Sequence, residues 1–203
     1  MITLYHAPNS RSVRVYATLE ELGLQYEVKH LKFPEDVRSD AYRKINPLAR
    51  VPALADGETS LFESGAIIQY LLARYGEGRL EPSVSSADFP VYLQWFHCAE
   101  ATFLPPVSDL IQHTMVLPED ERVPGVIPWS QKRIRANLDV LDTVLSSGEF
   151  LAGGTFSAAD IMMAYTLHLV KLVQLFDAND HPNIGAWLNK IESRPAWKLA
   201  VGT

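Results

Sequence analysis

The sequence predicts an α/β first part built on a small mixed sheet, followed by an all-helical second part. Three observations carry this. Short β-branched and aromatic runs alternate with helical patterns as far as Gly76. Beyond Gly76 the strand signal stops. From there on, apolar residues recur at helical spacing.

Ile2 to His6 reads as a strand, ended by Pro8-Asn9-Ser10. A helical stripe follows through Val13, Tyr16, Ala17, Leu19 and Leu22, with Gly23 placed to close it. Tyr26 to Leu31 is the second strand. The polar stretch from Pro34 to Asn46 reads as loop with a short helix over Ala41 to Ile45. Ala53 to Ala55 and Ser60 to Phe62 flank Asp56-Gly57, a hairpin signal. Ser64 is placed to cap a helix carrying Ala66, Ile67, Tyr70 and Leu71 and ending near Gly76. The order is β-α-β-α-β-β-α.

Gly78, Pro82 and the serines that follow mark a linker over 79–86, between a first domain at 1–78 and a helical one at 87–203. A long helical pattern runs from Phe89 to His113, with Pro105-Pro106 as an interruption. Pro118 to Pro128 reads as a polar loop. Ile134, Leu138, Leu141 and Leu145 share one helix face. Ala158 to Phe176 is apolar but broken by His168 and Lys171, which suits a buried central helix better than a membrane span. Ile184, Trp187, Leu188 and Ile191 mark a last helix.

Composition narrows the function classes. The 203 residues carry 18 Lys and Arg against 24 Asp and Glu, a net charge of −6. With no dense basic run, this argues against a nucleic-acid partner. Met1 to Tyr5 has no secretory n-region or h-region, and no uninterrupted apolar stretch would span a membrane. Cys98 is the single cysteine, so no intrachain disulfide or Cys-x-x-Cys pair can form, and a reducing cytoplasm is the natural compartment. His97 and Glu100 lack a third ligand at a recognisable spacing, so no metal site is expected.

Three segments carry candidate chemistry. In Asn46 to Leu54, the proline of Val51-Pro52 cannot donate to a sheet ladder. It reads either as an edge-strand proline or as a bend, possible in cis, that turns the Val51 backbone outward to pair with an extended peptide. Glu63-Ser64 reads either as a plain helix start or as a site for an α-amino acid end group, with carboxylate at Ser64 and ammonium near Glu63. Asn9-Ser10-Arg11-Ser12 reads either as a cap or as a hydroxyl donor beside a helix N-terminus, a setting that lowers a thiol pKa.

Together these segments resemble the glutathione transferase superfamily over essentially the whole chain. The most specific stretch is NPLARVPALADGETSLFESGAIIQYLLARYG, Asn46 to Gly76, which is similar to theta, zeta and related bacterial members. Thr155 to Ile161 resembles the superfamily's capping box, with Ser157 and Asp160 in the paired positions, and Ser193 to Trp197 is also family-like. The resemblance implies a thioredoxin-like glutathione-binding domain followed by an all-α domain, with glutathione as co-substrate and no separate cofactor. It implies a homodimer, and a detoxifying reaction in which the glutathione thiolate attacks a hydrophobic electrophile or a peroxide.

Carried over residue by residue, Pro52 resembles the cis-proline and Val51 the residue that pairs through its backbone with the cysteinyl unit. Glu63 and Ser64 resemble the γ-glutamyl binders, and Arg50 the basic residue that meets the glycyl carboxylate. Theta-like spacing counted back from Arg14 lands on Ser10, and zeta-like or phi-like spacing on Asn9. Tyr5 lies at the strand end where other classes use tyrosine. The order of preference for the thiolate donor is Ser10, Asn9, Tyr5. No cysteine occupies these positions, which argues against thiol–disulfide chemistry and against maleylacetoacetate isomerase. Phe96, Phe103, Leu110 and His113 read either as an electrophile pocket or as helical core and interface. Glutathione-dependent isomerisation and a non-catalytic binding or assembly role are the competing functions.

Overall fold

The computed structural model describes residues 1–202. Its contacts divide the chain into two units. Met1–Glu81 and the segment from Glu192 onward form the first, and Pro82–Ile191 the second.

The first unit is a thioredoxin-like four-stranded mixed sheet with helices. Strands β1 (Ile2–His6), β2 (Tyr26–His30), β3 (Ala53–Asp56) and β4 (Thr59–Phe62) lie in the order β2-β1-β3-β4. β1 runs parallel to β2 and antiparallel to β3, and β3 pairs antiparallel with β4. On the central β1, Ile2, Leu4 and even His6 share one face and are buried, while on the other face Thr3 is buried and Tyr5 half-buried. Helix α1 (Ser12–Glu21) ends where expected. Gly23 takes φ 62°, the Leu24 N–H reaches back to Leu19 O and the Gly23 N–H to Glu20 O. That is the Schellman closure, in which glycine escapes the Cβ penalty of the left-handed region.

The hairpin differs from the expectation by one residue. Asp56 pairs with Thr59 as the last residue of β3, and Gly57-Glu58 make the turn with Gly57 at φ 60°. Asp56 stays in the strand because its carboxylate accepts from the Tyr70 hydroxyl at 2.8 Å and from the Tyr75 hydroxyl. The Tyr75 bond chiefly, with help from Tyr70, holds the Asp56 carboxyl below its usual pKa. The short helix α2 is Asp40–Arg43, started by the Ser39 hydroxyl accepting from the Tyr42 N–H. α3 (Ser64–Leu71) continues into a π-helical turn over Leu72–Gly76.

The second unit is all helix: α4 (Phe89–Cys98), α5 (Leu104–Ile111), α6 (Val126–Leu145), α7 (Ala158–Leu172) and α8 (Pro182–Glu192), whose last residue already groups with the first unit. Pro105-Pro106 do not interrupt the chain. A π-helical turn over Ala99–Phe103 hands α4 to α5, placing the prolines in the first turn of α5, where their missing N–H groups cost least. The Thr102 carbonyl receives the Asn137 amide at 3.4 Å. The expected loop over Pro118 to Pro128 is shorter, because α6 already begins at Val126 with Pro128 in its first turn. Ile134, Leu138, Leu141 and Leu145 are its buried face, and α7 is buried along most of its length.

The C-terminal end departs from the expected 87–203 division. α9 (Pro195–Val201) returns to the first unit and packs on α1, burying Ala196, Trp197 and Ala200. Arg194 locks it with a forked pair to Glu21, at 2.6 and 2.7 Å. Among the described residues no helix is long and apolar enough to cross a membrane.

Candidate functional site

The first unit brings three loops of candidate residues to the ends of its strands. The loop from Asn46 to Pro52 precedes β3. The β1 pairing register ends at Tyr5–Ala53, so Val51 and Pro52 lie beyond the ladder. The Val51–Pro52 peptide is cis, as expected; Phe33–Pro34 is also cis. Val51 is half-buried and Arg50 exposed. What holds the loop is Asn46, which is 2% exposed. Its Oδ1 accepts from the Leu48 N–H at 3.0 Å and its Nδ2 donates to Arg50 O at 2.7 Å. The Tyr42 hydroxyl donates to the same Arg50 carbonyl at 2.8 Å, and burial pushes that phenol's pKa up.

Asn46 was visible only as part of the motif, since a buried asparagine is not distinguishable from a turn asparagine by sequence. Asn46→Ala should free the loop by removing both bonds. We expect a ligand that uses the Val51 backbone to bind roughly tenfold more weakly, the equivalent of one or two net hydrogen bonds, which titration calorimetry would measure. Unchanged affinity would show that the loop holds its shape without Asn46.

Glu63 and Ser64 stand at the start of α3, but the N-cap is Glu63 and not Ser64. Ser64 is the first helical residue. Glu63 adopts φ 75°, ψ 113° and is exposed. A β-carbon in that region costs about 1–3 kcal/mol, and such strain gathers at ligand sites. Ser64 is 3% exposed, and its Oγ accepts from Nη1 of Arg14 at 3.2 Å. Arg14 is fully buried on α1. The arrangement places a guanidinium and the open N–H groups of an α3 first turn free of acidic residues around one hydroxyl. It is suited to a carboxylate. The sequence did not disclose Arg14, because an arginine in a helical stripe is usually solvated.

Between β1 and α1 lies a chain of hydrogen bonds. The Ser10 and Ser12 hydroxyls are 2.6 Å apart, and Ser12 Oγ lies 2.8 Å from Nδ1 of His6. Ala7 O is 2.7 Å from the Ser10 hydroxyl and 3.2 Å from that of Ser12. His6 and Ser12 are fully buried while Ser10 is half-buried, so the chain runs from the interior to the surface. Arg11 is the N-cap of α1 and makes no side-chain capping bond, and the first turn has no acidic residue to cancel its positive potential. Asn9 is exposed at φ 53°. Tyr5 points to the opposite sheet face from His6. Its ring packs 5.7 Å from that of Tyr42, with Lys29 Nζ 5.6 Å above it.

The helical candidates divide between core and cavity. Phe96 and Phe103 are 1% and 5% exposed, inside an aromatic core with Tyr92 and Trp95. Leu110 alone of the four lines a cavity of about 220 Å³, with Thr114, Met115, Gln131, Leu172, Val173 and Gln174. His113 is half-buried and its Nδ1 accepts from the Val123 N–H at 3.1 Å. Among the described residues no cluster of His, Cys, Asp or Glu is placed to hold a metal ion.

Comparison with known proteins agrees with this architecture. Residues 1–73 match the family model "Glutathione S-transferase, N-terminal domain", and residues 108–190 match "Glutathione S-transferase, C-terminal domain". The chain is 30% identical to glutathione S-transferase 3 of Schizosaccharomyces pombe, covering 99% of this chain and 87% of the relative. It is 32% identical to glutathione S-transferase GstB of Escherichia coli, covering 99% and 98%. The glutathione transferase URE2P6 of Phanerochaete chrysosporium, solved in complex with oxidised glutathione, superposes with a TM-score of 0.86 at 30% identity, covering 98% of this chain and 94% of that one.

Proposed function

Because the chain belongs to the glutathione S-transferase family, we propose that it binds glutathione on its first unit, stabilises the thiolate, and directs it onto an electrophilic small molecule or a peroxide. The observation that carries this reading is the start of α3. The strained Glu63 and the Arg14-backed Ser64 form a receptor for an α-amino acid end group. In the proposed mode the γ-glutamyl carboxylate meets Ser64 and its ammonium meets Glu63. The cysteinyl backbone pairs with Val51 beside Pro52, Arg50 meets the glycyl carboxylate, and the sulfur reaches Ser10. A purely structural relative would have no use for a strained acid at that turn. The relative URE2P6, solved with oxidised glutathione, supports the choice of ligand.

The second substrate is an apolar electrophile received by the helical unit, where Leu110 lines the cavity. The protein works in the cytoplasm as a homodimer, in keeping with its single cysteine and with two-fold pairing as the commonest assembly.

Glu63→Ala and Ser64→Ala test the reading. Each removes one charge-assisted bond, worth about 1.5–3 kcal/mol, so each should raise the glutathione Kd roughly tenfold to a hundredfold. Calorimetric titration of folded protein measures it. Affinity unchanged in both variants would move the ligand elsewhere.

A further inference from the structure

The hydroxyls of Ser10 and Ser12 each own one proton, and the 2.6 Å contact between them carries only one. Besides donating to Ala7 O at 3.2 Å, the Ser12 hydroxyl has two arrangements that bear on a ligand. In the inward one, Ser12 donates to His6 Nδ1 and Ser10 donates to Ser12 or to Ala7 O. Ser10 then presents only lone pairs outward, which repel an anion. In the outward one, His6 carries its proton on Nδ1 and donates to Ser12, and Ser12 donates to Ser10. The Ser10 oxygen is then filled from within, by the Ser12 hydroxyl and by the Ser12 N–H at 3.3 Å, and its own proton goes either to Ala7 O at 2.7 Å or to a ligand. Leaving Ala7 O for a sulfur anion exchanges a neutral acceptor for a charged one, the stronger of the two bonds.

We propose that His6 is a positioning residue for the reaction: through Ser12 it sets the direction of the Ser10 proton, so that Ser10 donates to the glutathione thiolate. This rests on the reading of Ser10 given above. The imidazole is itself fixed from two elements. The Tyr16 ring of α1 lies 5.3 Å away edge-on, and the His30 ring of β2 lies 5.5 Å away, also edge-on. The ring is fully buried, and its Nδ1 lies at hydrogen-bond distance from a fully buried hydroxyl. The chain thus transmits orientation without transferring a proton. The thiol proton leaves to solvent, and each group in the chain keeps one proton throughout.

The experiment is a mutant cycle read on the thiol. In wild-type protein and in Ser10→Ala, Ser12→Ala, the double Ser10→Ala/Ser12→Ala, His6→Phe and His6→Asn, the apparent pKa of bound glutathione is titrated by thiolate absorbance. Binding of S-methylglutathione, which has no thiolate, is measured beside it. Ser12→Ala should weaken thiolate formation roughly fivefold, the loss of about one net hydrogen bond, while S-methylglutathione affinity stays within about twofold. His6→Phe should shift the titration the same way. His6→Asn, whose side chain can donate from near the Nδ1 position, should restore most of it. The double variant should be no worse than Ser10→Ala alone, because once Ser10 is gone Ser12 has nothing to orient.

If Ser10→Ala shifts the titration and Ser12→Ala does not, or if the two shifts add, His6 and Ser12 are only packing and the inference falls while Ser10 keeps its role. If Ser10→Ala itself shifts nothing, the assignment of Ser10 falls and takes the inference with it. Should His6→Phe fail to fold, the Ser10–Ser12 cycle decides alone.

Discussion

Asp160→Ala should be among the most destabilising single substitutions in this chain, by about 3–5 kcal/mol. The carboxylate is fully buried at the head of α7. Four donors converge on it. Oδ2 accepts from the Ser157 N–H at 2.9 Å and the Ser157 hydroxyl at 3.0 Å. Oδ1 accepts from the Leu151 N–H at 3.0 Å and from Trp187 Nε1 at 2.9 Å. One side chain therefore ties together the turn before α7, the start of α7 and the middle of α8. Burial pushes the Asp160 pKa up and the donors pull it back. Truncation leaves all four donors without an acceptor in a dry interior, and each orphaned group costs about 1–3 kcal/mol before relaxation. A loss of that total size corresponds to a fall in Tm of roughly 10 °C for a chain of this length. Thermal unfolding followed by far-ultraviolet circular dichroism measures it. Ser157→Ala should cost less, because Asp160 then keeps three of its donors. A melting temperature within about 2 °C of wild type for Asp160→Ala would mean that water replaces the carboxylate at little cost.

The sequence made this network legible only in part. The Ser157–Asp160 spacing marks a capping box from local chemistry alone. The bonds to Leu151 and Trp187 depend on how α8 folds back, which no local pattern encodes. The same division holds elsewhere. Gly23 as the end of α1 and the cis Val51–Pro52 bond were readable, because each is a local backbone property or part of a specific motif. Pro105-Pro106 suggest an interruption because proline forbids an interior α-helical bond; a π-helical turn removes the conflict without leaving the helix. The expected N-cap at Ser64 fell on Glu63, because the acid takes the strained turn and the hydroxyl is claimed by Arg14. α9 was hidden for a related reason. Ser193-Arg194-Pro195 looks like a turn, yet proline at the first helical position is also a good start. At the site, Ser10 is legible as a candidate and Ser12 and Asn46 only as parts of their segments, whereas the supporting roles of Arg14 and His6 are not legible. Buried polar residues that serve as supports look like surface residues until their partners are known.

Ser10→Ala should slow conjugation near neutral pH by roughly tenfold to a hundredfold, the loss of one neutral-to-charged hydrogen bond. The direction with pH follows from which form the hydroxyl favours. A donor to sulfur lowers the thiol pKa below the ordinary value of about 8.5, so removing it raises that pKa. The deficit is therefore largest at and below neutral pH, where the variant holds little thiolate. It shrinks as pH rises past the variant's own thiol pKa, where both proteins are ionised. The intrinsic nucleophilicity of the sulfur rises slightly with its pKa, which narrows the gap further at high pH. Binding of S-methylglutathione should change by less than about twofold, since thiolate stabilisation and ligand capture at Glu63 and Ser64 use different groups. The helix contributes independently. The first turn of α1 has no acidic residue, but its Val13 and Arg14 N–H groups are already bonded to Ser10 O and Arg11 O. Those amides offer the sulfur potential without a free donor, and the hydroxyl is the group placed to make the bond. A pH–rate profile for kcat/KM decides the matter. A Ser10→Ala profile that overlays the wild type while Asn9→Ala shifts to higher pH would assign the thiolate to the exposed asparagine at φ 53°, one residue earlier in the loop. Profiles unchanged in both would assign it to backbone N–H groups, to Tyr5 or to a bound water.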